Sequence, residues 1–209
     1  MQLYRMRCLL LSSCLLFFIG CAPAFKPLQA PPVDGSALKK FKPAFKVALY
    51  NTKVDVIGNH LSGLLLIKKM PDSSTRFVFS NEMGFTFFDF GFSRGGDFRV
   101  YSIINKMNKR AVVKTLRKDF ELILMNSVEY PASTRKVNGL LYYVYPQSKG
   151  YNYYITDSTS QKLVRLERAS KSKTVVEVIM KDYINGIPDT IGISHKTFAF
   201  TIGLKRIVR

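Results

Sequence analysis

The sequence predicts a mainly β, α+β fold: a single curved antiparallel sheet, or half-barrel, of about ten strands wrapped around one main amphipathic helix. Three observations carry this expectation. Apolar residues alternate with others through much of the 209-residue chain, the period of a strand with one buried face. Clusters of Gly, Pro, Asn and Ser cut these runs into short segments, so successive strands are closely joined and pair antiparallel. In one stretch only, after Asn105, the apolar spacing changes to three and four, the period of a helix.

The first strand begins at Phe45. There Phe45, Val47 and Leu49 alternate with Lys46, Ala48 and Tyr50, and the pattern resumes in shifted phase at Val54 and Val56, predicting a bulge or bend near Asn51. Gly58-Asn59 turns the chain into a strand over residues 61–70, which Pro71-Asp72-Ser73-Ser74 closes. Residues 76–80 and 85–92 read as further strands around the turn Asn81-Glu82-Met83-Gly84. In the second of these, Phe88, Phe90 and Phe92 fall on one side and Phe85 and Phe87 on or near the other. A strand apolar on both faces is either central in a layered fold or lines a hydrophobic cavity, so these five phenylalanines are candidate cavity residues. Arg94-Gly95-Gly96-Asp97 lacks a nucleotide-binding spacing and reads as a turn.

The helix is predicted from Val112, Val113, Leu116, Phe120, Ile123 and Leu124. Its opposite side carries Lys106, Lys109, Arg110, Lys114, Arg117 and Lys118, a candidate basic surface, with Asp119 and Glu121 near the far end. This pattern reads as a core helix with a solvated basic face in preference to a helix resting on a membrane surface, although the two are not exclusive on a tethered protein. Strands resume after Val137-Asn138-Gly139, over residues 140–145, 151–157, 163–168, 174–183 and 197–207. Tyr142, Tyr143, Tyr145, Tyr151, Tyr153 and Tyr154 straddle one hairpin and are placed to pair across it.

The chain begins with the three parts of an export signal. Arg5 and Arg7 come first without an acid, and an apolar run from Cys8 to Ile19 follows, too short for the roughly 20 residues of a membrane-spanning helix. Phe18-Ile19-Gly20-Cys21 then resembles the lipobox of bacterial lipoproteins, with phenylalanine where leucine is usual. The resemblance implies cleavage before Cys21 and lipid on that cysteine. The alternatives are an ordinary secretory signal with an incidental Cys21, or an uncleaved anchor. Cysteine usage favours the lipid: Cys8 and Cys14 leave with the signal, so the mature chain keeps one thiol, at its first position, and no disulfide can form. Prolines at 23, 27, 31 and 32 make the following stretch an extended tether. The expected organisation is a signal over 1–20, a lipid-anchored proline-rich tether over 21–40 and a single β-rich domain over 41–209. The tether has no acidic residue before Asp34. It therefore lacks what resembles an inner-membrane retention or surface-export signal, and a periplasm-facing position on the bacterial outer membrane is the default.

Removing the signal takes two arginines and no acid from a net charge of +18, leaving +16. Such a surface either favours anionic partners or keeps the protein soluble. For an exported, tethered protein the anions at hand are lipid headgroups and cell-wall polymers, and no nucleic acid is expected. Nothing in the sequence identifies a reaction. His60 and His195 read as surface turn residues, without a metal-ligand spacing, and neither a Gly-x-Ser-x-Gly elbow nor a phosphate loop occurs. No enzyme, no metal and no cofactor are expected.

Signal, tether and a meander interrupted by one amphipathic helix resemble the half-barrel fold of the lipoprotein-localisation carrier and receptor, LolA and LolB. The resemblance rests on strand order from Phe45 to Ile207 and on segments such as Ser62-Gly63-Leu64-Leu65-Leu66-Ile67-Lys68 and Phe87-Phe88-Asp89-Phe90. The chain is also similar to uncharacterised lipoproteins of the Bacteroidetes group. The Lol resemblance implies acyl chains held in an apolar cavity between the open sheet and a helical lid. The expected function is thus a noncatalytic envelope lipoprotein binding lipid or lipoprotein acyl chains. The alternatives are a structural or assembly lipoprotein holding an envelope protein or cell-wall polymer and, third, an enzyme acting on envelope polymers.

Overall fold

The computed structural model describes Pro32, Val33 and residues 35–208; the signal segment, Cys21 and most of the expected tether lie outside them. One antiparallel sheet contains every described strand. It comprises β1 (Pro32–Val33), β2 (Val47–Val56), β3 (Asn59–Lys69), β4 (Thr75–Ser80), β5 (Thr86–Phe92), β6 (Phe98–Ile103), β7 (Ala132–Val137), β8 (Leu140–Gln147), β9 (Gly150–Asp157), β10 (Leu163–Ala169), β11 (Thr174–Ile184), β12 (Ile187–His195) and β13 (Phe200–Arg206). The order across the sheet is β1-β7-β8-β9-β10-β11-β12-β13-β2-β3-β4-β5-β6. Two α-helices, a single turn α1 (Ser36–Lys39) and the main helix α2 (Arg110–Leu124), and a 3-10 turn over Asn126–Glu129 complete the described fold.

The mainly β architecture with one main helix is as the sequence predicts. The sheet has twelve full strands plus the two-residue β1, where about ten were expected. The chain leaves the sheet at one edge through β6, crosses its face as α2 and re-enters at the other edge as β7. The last strand, β13, closes the middle by pairing with β2 along Phe200↔Val56 to Arg206↔Tyr50.

No bulge interrupts β2. Its pairing with β3 and with β13 runs without a register shift, and Ala48, Tyr50 and Thr52 are buried in one unbroken phase. The apparent shift at Asn51 comes from reading Val47 and Leu49 as the inward set. Tyr50 faces inward instead, its hydroxyl donating to the Pro188 carbonyl at 2.7 Å. Three of the full strands were not foreseen, β6, β7 and β12, and neither was the short β1, which falls in the stretch expected as tether. Polar Ser133, Thr134, Arg135 and Lys136 conceal β7, and Pro188, Asp189 and Gly192 make β12 look like a turn.

The core fills the face beneath α2, with Tyr50, Leu65, Ile67, Phe77, Phe90, Leu166, Val178 and Ile191 at or near zero exposure. Leu38 of α1, within the stretch expected as tether, is also fully buried there. The opposite face of β8, β9 and β10 carries a smaller cluster around Tyr153, Ile155 and Ala169. Both faces of β9 are thus apolar, which its tyrosine-rich sequence requires.

Candidate functional site

Helix α2 forms because its apolar residues recur on one face, and that face meets the aromatic side of the sheet. Phe120 stacks on Phe77 of β4 with ring centroids 4.5 Å apart and approaches Phe88 of β5 at 5.8 Å. Phe88 and Phe90 stack on each other at 4.4 Å. The helix ends at Met125, whose left-handed conformation (φ 50°) stops the 3.6-residue repeat. At the other end Lys109 offers no side-chain cap and the first turn carries no acid. Its free N–H groups and positive dipole end therefore sit among cations, where an acidic residue would ordinarily stabilise them.

A buried polar cluster pins the middle of the helix to the sheet. Asp119 has no exposure. One carboxylate oxygen accepts from Arg168 Nη2 of β10 at 3.0 Å, and the other lies 2.8 Å from His195 Nε2 at the end of β12. This corrects the expectation that His195 is a surface turn residue: its side chain is 2% exposed because the inward phase of Ile191 and Ile193 continues to it. Burying a carboxylate needs such partners, since an unpaired buried charge is strongly unfavourable.

Alongside the polar face of α2 lies a cleft of about 1700 Å³. One wall comes from the first half of the sheet: the approach to β2 (Lys42 to Lys46), Lys69, and the turn from Phe92 through Gly96 to Phe98. The facing wall comes from the second half: Gln147, Ser148 and Lys149 of the β8–β9 turn, Asn152 and Arg168. The helix supplies Arg110, Lys114, Arg117 and Lys118. Ten Lys and Arg line the cleft against two carboxylates, Glu121 and Glu129. Both carboxylates are taken, Glu121 by Arg117 at 2.7 Å and Glu129 by Lys42 at 2.7 Å. The Lys42 partner holds the Glu129 carboxyl below its ordinary value. Seven of the ten cations have no ion-pair partner among the described residues. Apolar side chains, Phe45, Phe92, Phe98, Val113 and Leu124, share the same lining.

Of the basic residues singled out in the sequence, Arg110, Lys114, Arg117 and Lys118 face this cleft, whereas Lys106 and Lys109 are exposed outside its lining. Of the five phenylalanines considered for a cavity, Phe88, Phe90 and Phe92 are buried beneath α2, and Phe92 also reaches the cleft. Phe87 is half-buried and Phe85 is 56% exposed. Sequence reasoning missed Asn152, Lys149 and Arg168, and left Asp119 among the outward charges. A signal existed for three of these four. Asp119 lies three residues after Leu116 and four before Ile123, on the apolar stripe, while Arg168 and Asn152 sit in phase with inward Leu166 and Tyr154. Among the described residues no group of three or more His, Cys, Asp or Glu could hold a metal ion.

No family model and no curated protein matches the chain. Solved structures match it in shape. A LolA superfamily protein from Nitrosomonas europaea superposes with a TM-score of 0.51 at 9% identity, over 84% of this chain and 92% of that one. The fold is LolA-like. A DUF1329 family protein from Desulfovibrio piger (TM-score 0.44, 11% identity, 82% and 88% covered) is more distant. So is a domain assigned to outer membrane lipoprotein sorting from Vibrio parahaemolyticus (TM-score 0.41, 9% identity, 81% and 87% covered). At such identities the likeness is one of fold alone.

Proposed function

We propose that the chain is a noncatalytic lipoprotein of the bacterial envelope, anchored through lipid on Cys21 and facing the periplasm from the outer membrane, that holds acyl chains of a lipid or lipoprotein in its half-barrel. The observation that supports this most is an aromatic sheet face covered by one helix, with a large cleft opening beside that helix. About 1700 Å³ exceeds the roughly 300–1,000 Å³ of ordinary small-molecule pockets, and its mixed apolar and cationic lining suits an anionic amphiphile. In that lining both carboxylates, Glu121 and Glu129, are engaged by cations, which supports a binding role for the cleft.

Two measurements test the reading. Labelled palmitate is expected to enter the wild-type chain and not Cys21→Ser. Native mass spectrometry of the chain lacking its anchor is expected to show a bound acylated molecule, and repeated recovery of ligand-free protein that takes up no lipid would count against it. One observation favours the second reading, a structural or assembly role. Strand β6 ends the sheet with Val100 38% and Tyr101 48% exposed, an edge onto which a partner strand can add. A complex that survives high salt and carries no lipid would favour that role.

A further inference from the structure

Four of the cleft's cations, Lys114, Lys118, Lys149 and Arg168, belong to helix α2 and to the strand and turn facing it. Lys118 is half-buried and shares the cleft lining with Arg168, Lys114 and Lys149, whose charges act against its own, and with Glu121, whose charge acts for it. Burial and these three cations push its pKa below the ordinary lysine value. Two polar side chains at the same place are incompletely satisfied. Arg168 spends Nη2 on Asp119, but its Nη1 is buried without an acceptor. Asn152, its cross-strand partner, is 8% exposed and its Oδ1 has no donor. Buried groups of this kind are unfavourable unless something completes them. An amide can present either its oxygen or its NH2 by a half-turn about its last bond.

We infer that Lys114, Lys118, Lys149, Arg168 and Asn152 form a binding site for the phosphate group of an anionic lipid, whose acyl chains follow the apolar wall of the cleft. A phosphate is the anion that fits, because its several oxygens accept from converging ammonium and guanidinium donors together. Phe92, Phe98 and Val113 line the same cleft, so the chains of a phosphate-bearing lipid have an adjacent apolar seat. This inference rests on the lipid-holding reading for the source of the phosphate, and on the side chains alone for the anion site itself.

The test is a titration of the full-length protein in nonionic detergent with three probes: short-chain phosphatidylglycerol, the corresponding diacylglycerol without phosphate, and inorganic phosphate. Wild type is compared with Lys118→Met, Lys149→Met and, as a charge-matched control outside the cleft, Lys106→Met. The phosphatidylglycerol affinity is expected to fall about tenfold in each cleft variant, the effect of losing one charge-assisted contact, and to stay unchanged in the control. Diacylglycerol affinity is expected to be insensitive to all three substitutions. An equal loss in Lys106→Met, or none in the cleft variants, overturns the site. If diacylglycerol binds and only this discrimination fails, the lipid-holding reading stands without the phosphate site. If neither lipid binds but inorganic phosphate does, in a Lys118-dependent way, the anion site stands and the lipid reading falls.

Discussion

Asp119 shows how one residue fixes the relation between helix and sheet. It bonds Arg168 and His195 across two strands that are not adjacent, so its carboxylate locates α2 along the face as well as above it. Asp119→Ala leaves a guanidinium and an imidazole buried without their anion. The expected loss is about 3–5 kcal/mol, read as a fall in the urea midpoint with the slope preserved. Gly150 makes a second prediction at this scale. Its φ is +102° and a Cβ there would lie 2.0 Å from the Ala169 carbonyl oxygen, whereas Gly58, at φ +76°, has open space. Gly58→Ala should therefore cost only the backbone strain, about 1–3 kcal/mol, and Gly150→Ala distinctly more, as paired thermal melts would show. Gly150 opens β9 two residues before Asn152, so its substitution should also disturb the cleft wall. The pattern that marks these positions was present in the sequence, because Asp119, Asn152, Arg168 and His195 all occupy inward phases. Polar identity hid them: a charge on an apolar stripe is easily assigned to solvent until its partners, 49 and 76 residues away, are known.

The elements differ in how plainly the chain announces them. Helix α2 was legible because its change of period is long and abrupt, and β5 because its four phenylalanines include an alternating set, Phe88, Phe90 and Phe92, that is buried on one face. Strand β12 was not, since proline, aspartate and glycine break its alternation, and its centrality comes only from pairing with β11 and β13. The stability of α2 depends less on its ends, which lack a side-chain cap, than on the face it buries. Phe120→Ala removes the ring that stacks on Phe77 and should destabilise the protein by about 3–5 kcal/mol. The distribution of that loss is the sharper test. Hydrogen exchange should show α2 amides losing protection first while β2, β3 and β13 keep theirs, because the sheet's ladder does not need the helix to close its hydrogen bonds. Equal loss in helix and central strands would mean that α2 is an integral part of the core and no separable cover. Such a result would bear directly on whether ligands gain entry by moving it.

The two walls of the cleft belong to different halves of the chain, and what joins those halves is the seam between β2 and β13. Residues 42–98 supply one wall and residues 147–168 the other, while the chain between them crosses as α2. The seam pairs residues about 150 positions apart, from Phe200↔Val56 to Arg206↔Tyr50, so its loop closure comes late and at a high entropic cost. The central pairing of the sheet therefore cannot form until nearly the whole chain is available. Deleting residues 200–209 should abolish cooperative unfolding and lipid binding together, even though the deleted strand contributes no residue to the cleft. Removing residues 32 and 33, which form the short β1 at an edge, should leave a cooperative transition. The comparison is made by near-ultraviolet circular dichroism and urea titration of the two truncated chains. A cooperative, lipid-binding product lacking β13 would show that each half folds and presents its wall alone. Otherwise cleft width and cation spacing are set by the strand made last, and the anion-binding surface exists only in the completed sheet.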